Sequence, residues 1–464
     1  MRYVSTRGQA PALQFEDVLL AGLAADGGLY LPERWPALPP VAWRALVGKR
    51  FAAVMRAVLT PFAIGFPSER LDRLVADSFA GFAHRHVAPL RQLGPSLWLM
   101  ELFHGPTLAF KDVALQLLGR LLADVLTRRG AHATVVGATS GDTGSAAIEA
   151  LRGRDGIEVF ILYPHGRVSD VQRRQMTTVP DANVHAIAID GTFDDCQALV
   201  KALFADAAFR AHHQLSAVNS INWARIAAQV SYYAAAGLAL GAPDRPLRFV
   251  VPTGNFGNVY AGYVASRLGL PIERLLIATN VNDILARFLE RGDYRAGQVS
   301  ASTSPSMDIQ VASNFERLLF ELLGRDGAAV RRAMQGFQQS GALAVPPPAL
   351  QEARHLFAAA RTDEAGTLAA IAACWRDCGI LLDPHTAVGY AALRRLPTDG
   401  TPTVLLATAD PAKFPDAVER ATGIRPPLPP RLADLGQRPE RLHRLANDLG
   451  QVQAFIARQR ANRE

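Results

Sequence analysis

The sequence predicts an α/β fold: two lobes built on parallel sheets, preceded by a small, mainly helical N-terminal region. Three observations carry this expectation. From about residue 86 onward, short apolar runs alternate with stretches of helical periodicity, the pattern of strand–helix–strand crossovers. Before that point the apolar spacing is helical, interrupted by a proline-rich linker at 31–40. Finally, 464 residues with 49% hydrophobic and 20% charged side chains supply a sizeable core. On a prior of roughly 150 residues each, that is about three domains, or two larger lobes.

In order, 15–23 has helical apolar spacing, Asp26-Gly27-Gly28 makes a turn, and 41–84 continues as helices. Residues 97–101 read as a strand and 111–129 as a helix with Asp112 near its start. A short buried strand is expected at 134–136 and a helix at 145–152, with further strands at 159–163, 184–189 and 249–251. The proline runs at 345–348 and 425–430 predict stiff extended segments, and the stretch after 431 a polar, arginine-rich helix. This divides the chain into a helical region at 1–85, an α/β region at 86–430 and a helical tail at 431–464.

The net charge of +7 comes from arginines scattered among acids, without a basic run or interleaved aromatics, which argues against nucleic acid as a partner. A modest positive field suits anionic small molecules instead. The three cysteines, Cys196, Cys374 and Cys378, lack a nearby histidine to complete a metal set and read as helix cysteines of a reducing compartment. The most apolar stretch, 226–242, is broken by Gln229 and Ser231 and is short for a membrane span. A cytoplasmic protein without membrane contact is expected, with monomer and homodimer both open.

The stretch Glu-Leu-Phe-His-Gly-Pro-Thr-Leu-Ala-Phe-Lys-Asp-Val at 101–113 is the one the rest is organised around. Only four lysines, Lys49, Lys111, Lys201 and Lys413, stand among 49 basic residues, so this chain fills its cationic positions with arginine. A lysine between Phe110 and Asp112 then suggests chemistry that guanidinium cannot do, because an amine can lose its proton in an apolar pocket and attack a carbonyl. The plainer reading is a helix-start lysine that snorkels.

Two glycine loops raise the first reading. In Val-Val-Pro-Thr-Gly-Asn-Phe-Gly-Asn-Val at 250–259, an apolar strand runs through two glycines into a helix, presenting backbone N–H groups to a phosphate. It is neither a Walker loop nor a dinucleotide fingerprint, and a ligand-free tight turn is the alternative. Gly-Ala-Thr-Ser-Gly-Asp-Thr-Gly at 137–144 offers hydroxyls and backbone donors to a carboxylate or phosphate, while Asp142 suits a helix cap. Asn219, Ser220, Asn222 and Arg225, clustered before and into a helix, could grip a second phosphate or simply cap and brace that helix. Thr408, at a strand end, either meets a cofactor ring or stops the strand.

Taken together, these stretches resemble the threonine synthases, pyridoxal-phosphate enzymes of the tryptophan synthase β-like group (fold type II). The resemblance runs from Tyr-Val-Ser-Thr-Arg-Gly at 3–8 and Asp-Gly-Gly-Leu-Tyr-Leu-Pro-Glu at 26–33, through the lysine motif, Ser-Gly-Asp-Thr-Gly and Gly-Asn-Phe-Gly, to Pro-Ser-Met-Asp-Ile-Gln at 305–310. It implies that Lys111 forms the Schiff base with pyridoxal 5'-phosphate. Gly254, Asn255, Phe256, Gly257 and Asn258 would wrap the cofactor phosphate, and Thr408 would bond the pyridine nitrogen. Ser140, Gly141, Asp142 and Thr143 are implied at the amino-acid end of O-phospho-L-homoserine, with Asn219, Ser220, Asn222 and Arg225 near its phosphate. Asp410 departs from the histidine expected in many relatives. A serine or threonine dehydratase-like lyase is the alternative within the same chemistry.

Overall fold

A computed structural model of the chain describes residues 1–217 and 221–461. The chain divides into two units, one formed by Met1–Ala114 with Ser220–Pro426, the other by Leu115–Asn219 with Pro427–Glu464.

The first unit is built on a six-stranded sheet. Its order is Phe357–Arg361, Ile272–Thr279, Leu247–Pro252, Thr403–Ala407, Leu97–Glu101 and Leu90–Gly94. All neighbours are parallel except the last pair, where an antiparallel edge strand closes the sheet. The apolar runs of Leu247–Pro252 and Thr403–Ala407 are buried along their whole length, as a parallel sheet covered on both faces requires. Leu99, Val250, Leu276 and Leu405 from four adjacent strands meet Ile371 and Val388 of covering helices in one core. Parallel pairing has one consequence for function. Glu101, Pro252, Thr279 and Ala407 all end their strands on the same edge, which is where open α/β sheets bind ligands.

In the same unit, the N-terminal residues are clamped onto the helix Phe315–Leu322. Thr6 Oγ1 donates to Glu316 Oε1 at 2.5 Å, and Arg7 makes two bonds to the same carboxylate at 3.0 and 2.9 Å. The fully buried Arg317 donates to the carbonyl of Tyr30 at 3.1 and 2.9 Å and to that of Ile221 at 2.5 Å. Tyr3, Phe62 and Trp223 pack edge to face or tilted around this clamp. The region is helical as expected, except for the short antiparallel pair Tyr3–Ser5 with Tyr30–Pro32.

The second unit carries a five-stranded, all-parallel sheet ordered His443–Ala446, Val184–Asp190, Ile157–Pro164, Ala133–Ala138 and Leu215–Ala217. Two expectations change here and in the first unit. The tail after 431 is not helical throughout: His443–Ala446 forms an edge strand before the helix Leu449–Ala461. Its residues are mostly exposed, so apolar alternation could not signal it. The proline run at 345–348 is not wholly extended, because Pro347 opens the helix Pro347–Leu356, a position that needs no backbone N–H.

Arg317→Leu is expected to cost about 2–4 kcal/mol, since it strips donors from the buried Tyr30 carbonyl and the part-buried Ile221 carbonyl. The urea unfolding midpoint checks this; an unchanged midpoint would remove the clamp from the stability argument.

Candidate active site

Lys111 is the first residue of the helix Lys111–Arg129, and the turn before it is held from several sides. Thr107 donates from its backbone N and its hydroxyl to the two oxygens of Asp112, at 2.8 and 2.7 Å. Lys413, 0% exposed, donates to the Thr107 carbonyl at 2.8 Å. Phe110 N donates to Thr408 O at 2.9 Å and Asp410 N to Leu108 O at 3.0 Å, stitching this turn to the chain that leaves the strand Thr403–Ala407. The result is a lysine only 7% exposed, its Nζ 5.1 Å from the centroid of the Phe110 ring and 3.4 Å from Ser306 Oγ.

Gly254 lies against the backbone of Ser306. A Cβ at 254 would lie 2.6 Å from the Ser306 carbonyl oxygen, so only glycine lets the loop lie against that turn. One serine therefore touches both the lysine amine and the glycine loop. Beyond Gly254, Phe256 adopts a left-handed φ of 65° and opens the helix Gly257–Arg267 without a side-chain cap. The first N–H groups of such a helix point outward as an anion site. Asn255 O accepts from Asn314 N at 3.1 Å and from Asn314 Nδ2 at 3.0 Å, which fixes the loop from behind. Asn258 is buried; its Oδ1 accepts from the hydroxyls of Tyr232 at 2.5 Å and Tyr233 at 3.0 Å. Its Nδ2 has no hydrogen-bond partner among the described residues.

Thr408 follows directly on the strand Thr403–Ala407 and is buried. Its N donates to Thr386 Oγ1 at 3.1 Å, and Thr386 in turn hydrogen-bonds Asp383. Residues 280–308 brace the Ser306 turn further: Asp308 accepts from Ser302 Oγ at 2.6 Å, Asn280 Nδ2 at 2.7 Å and Asn282 Nδ2 at 3.1 Å. Burial pushes the Asp308 carboxyl up, and the Ser302 and Asn280 donors pull against that rise. Asp410 accepts from Ala412 N at 2.8 Å and so caps the short turn Pro411–Lys413.

Arg225 is 3% exposed, with no partner for Nε or Nη1 among the described residues. Burial pulls its guanidinium down to about 10. Asn222 is the helix cap, accepting from Ala224 N at 3.0 Å and donating to Leu19 O at 2.9 Å. Asn219 and Ser220 lie outside the described residues. Ser140, Gly141, Asp142 and Thr143 belong to the second unit. There Thr139 Oγ1 accepts from Gly141 N and Gly144 N at 2.9 and 2.8 Å, and Gly141 has a φ of 132° that favours glycine. Asp142 does not cap its helix; it opens Asp142–Leu151, and its Oδ1 accepts from Gln172 Nε2 at 2.9 Å.

Sequence reasoning missed Asp383, His385 and Thr386. Their signal was present: an aspartate before a proline marks a helix start, and Asp383 caps Pro384–Ala392. Ser306 fell inside a motif that was noted without a role.

Three family profiles match the chain. One described as "Pyridoxal-phosphate dependent enzyme" covers 84–408, "Threonine synthase N terminus" covers 2–79, and "Threonine synthase, C-terminal" covers 386–456. A threonine synthase of Pseudomonas aeruginosa is 53% identical over 466 residues, spanning 100% of this chain and 99% of its own. This chain belongs to the threonine synthase family. Among solved structures, the PLP-bound threonine synthase from Brucella melitensis has a TM-score of 0.96 and 55% identity over 99% of both chains. The Escherichia coli threonine synthase has a TM-score of 0.84 and 31% identity, covering 99% of this chain and 100% of that one. The fold of two α/β lobes with parallel sheets is that of the family.

The residues present suit a phosphate-bearing cofactor. The loop 254–258 offers an uncapped helix N-terminus, and the unpartnered Asn258 Nδ2 is a buried donor that a phosphate oxygen would satisfy. Gly254→Ala is expected to weaken pyridoxal phosphate binding roughly tenfold or more, because overpacking against a fixed carbonyl costs about 1–3 kcal/mol. Absorbance titration of the apoprotein checks this, and undiminished affinity would show that the loop has room to move.

Proposed function

We propose that this protein converts O-phospho-L-homoserine and water to L-threonine and phosphate, as a pyridoxal-phosphate-dependent carbon–oxygen lyase acting on phosphates. The observation that supports the reading is the contact pattern of Ser306, whose hydroxyl lies 3.4 Å from Lys111 Nζ and whose carbonyl lies against Gly254 of the glycine loop. Profiles of threonine synthases at both ends of the chain favour this over the dehydratase-like alternative.

When bound, pyridoxal phosphate supplies the electron sink that makes the substrate's α- and then β-protons acidic. This chain's residues do the rest. The main-chain donors of Gly254, Asn255, Phe256, Gly257 and Asn258, with Asn258 Nδ2, would hold the cofactor phosphate. The amine of Lys111 would hold the cofactor through its carbonyl carbon and, when free, would take the substrate's α-proton. On the substrate a β-proton leaves and the C–O bond at the γ-carbon breaks with phosphate carrying off the electron pair. The γ-carbon then takes up one proton in place of the β-proton lost, water gives its hydroxyl to the β-carbon and its proton to the departed phosphate, and the α-carbon regains its proton. Thr408 would offer the ring nitrogen a neutral hydroxyl, which would leave the ring less strongly protonated than a carboxylate would.

Arg225 is the proposed ligand of the substrate phosphate: its buried guanidinium has two nitrogens without a partner among the described residues, which suits an anion. Asn219 and Ser220 would assist, and Asn222 orients the helix start. Ser140, Gly141, Asp142 and Thr143 are assigned to the substrate's amino-acid end. A family-specific N-terminal domain over 1–85 and a cytoplasmic location belong to the same proposal. Among the described residues, no helix is long and apolar enough to cross a membrane.

Lys111→Ala is expected to cut turnover at least about a thousandfold, read as threonine and inorganic phosphate together. Wild-type phosphate release by that variant would refute the mechanism. Arg225→Lys should raise KM for phosphohomoserine about tenfold or more with a smaller change in kcat, because a point charge replaces a planar fork. Steady-state kinetics decides it; an unchanged KM would move the phosphate elsewhere.

A further inference from the structure

The roles above leave a buried carboxylate and a buried imidazole unused. Asp383 and His385 are 1% and 3% exposed at the start of the helix Pro384–Ala392. Asp383 Oδ1 accepts from His385 N at 2.9 Å and lies 2.8 Å from His385 Nδ1. Its Oδ2 accepts from Thr386 N at 3.3 Å and from the Thr386 hydroxyl. A carboxylate can only accept, so Nδ1 is the nitrogen that carries hydrogen, and in the neutral ring Nε2 is left as an acceptor. Ser306 N donates to that Nε2 at 3.2 Å.

Ser306 thus presents three different groups to three different elements. Its N–H meets His385, its carbonyl lies against Gly254, and its hydroxyl is 3.4 Å from Lys111 Nζ. The turn Pro305–Met307 that carries it is only three residues long, so its register depends on such outside contacts. An amine that hydrogen-bonds through a fixed partner loses free rotation about its Cε–Nζ bond, and its lone pair is aimed rather than averaged.

We infer that His385, held in one tautomer by Asp383, is a positioning residue that registers the Ser306 hydroxyl against the Lys111 amine. Ser306 is then a catalytic residue, because it touches the reacting nitrogen. Asp383 and His385 act through it. The inference rests on the proposed role of Lys111 and extends it to residues with no assigned part in the reaction. Asp383 also orders the other end of the site, since Thr386, bonded to its Oδ2, accepts from Thr408 N at 3.1 Å.

The test uses two replacements that split the imidazole into halves. In His385→Asn the amide nitrogen mimics Nδ1 and keeps the bond to Asp383, but no acceptor reaches Ser306. In His385→Gln the side-chain oxygen takes the place of Nε2 and the acceptor survives. Ser306→Ala and Ser306→Thr remove and retain the hydroxyl. On the holoenzyme, His385→Asn and Ser306→Ala are expected to lower kcat about ten- to a hundredfold, the size seen where a residue orients a reacting ligand, with KM changed less than about threefold. His385→Gln and Ser306→Thr should recover most of that loss. The double variant of His385→Asn with Ser306→Ala should be no slower than Ser306→Ala alone, since both cut one path.

Visible circular dichroism of bound pyridoxal phosphate, taken without substrate, should weaken in His385→Asn and Ser306→Ala and persist in His385→Gln. Equal kcat for His385→Asn and His385→Gln, or losses that add in the double variant, would overturn the inference. An unchanged dichroism band in Ser306→Ala would do the same. A wild-type holoenzyme that releases neither threonine nor phosphate from phosphohomoserine would instead sink the functional reading. In that case the dichroism series still judges the Ser306 register by itself.

Discussion

The site depends on a close approach between backbone and backbone: the carbonyl of Ser306 against the bare Cα of Gly254. A side chain at 254 would push its first carbon to 2.6 Å from that oxygen. Because the contact is between main chains, neither partner can yield by changing rotamer. It ties the 305–307 turn to the glycine loop, and the serine hydroxyl then ties both to Lys111. The sheet prepares this meeting. Parallel pairing brings the ends of Leu97–Glu101, Leu247–Pro252, Ile272–Thr279 and Thr403–Ala407 to one edge, and the segments that follow them include Lys111, the glycine loop, Ser306 and Thr408.

Around that contact, the first unit concentrates buried and half-buried polar groups bonded to one another. Lys413 holds the Thr107 carbonyl, Asp383 holds His385 and Thr386, and Asp308 gathers Asn280, Asn282 and Ser302. Each would be costly if left unpaired, so the network stands or falls as a unit. Asn258 Nδ2 and the Arg225 guanidinium are among the buried groups short of partners among the described residues. Buried donors without a partner are uncommon in a finished fold.

The clamp on the N-terminal residues belongs to the same logic. Arg317 bonds the carbonyl of Tyr30 and that of Ile221, so the segment leading to Asn222 and Arg225 is held by the same side chain that holds the N-terminal strand pair. The motif Tyr-Val-Ser-Thr-Arg-Gly at 3–8 contributes Thr6 and Arg7 to the carboxylate of Glu316, next in the chain to Arg317. The N-terminal region is therefore part of what steadies the start of the helix Trp223–Ala239.

The sequence by itself determined the alternation of elements, the lysine at a helix start and the strand–glycine–helix loop. All three are local: periodicity, a residue type out of keeping with its surroundings, and a turn that only glycine tolerates. It also carried enough ordered motifs to point to the family. It could not reveal that Ser306, Gly254 and Lys111 are neighbours, since 195 positions separate the lysine from the serine. Nor could it separate a helix-capping aspartate from one that orients an imidazole, because Asp383 does both and only the packed turn at 305–307 gives the imidazole a partner. The edge strand His443–Ala446 was hidden for a related reason. Its residues are mostly exposed, and pairing with Val184–Asp190, rather than apolar pattern, makes it a strand. What tertiary structure alone decided is which polar groups are satisfied by the protein and which remain for a ligand, a property of assembled space that no local pattern records.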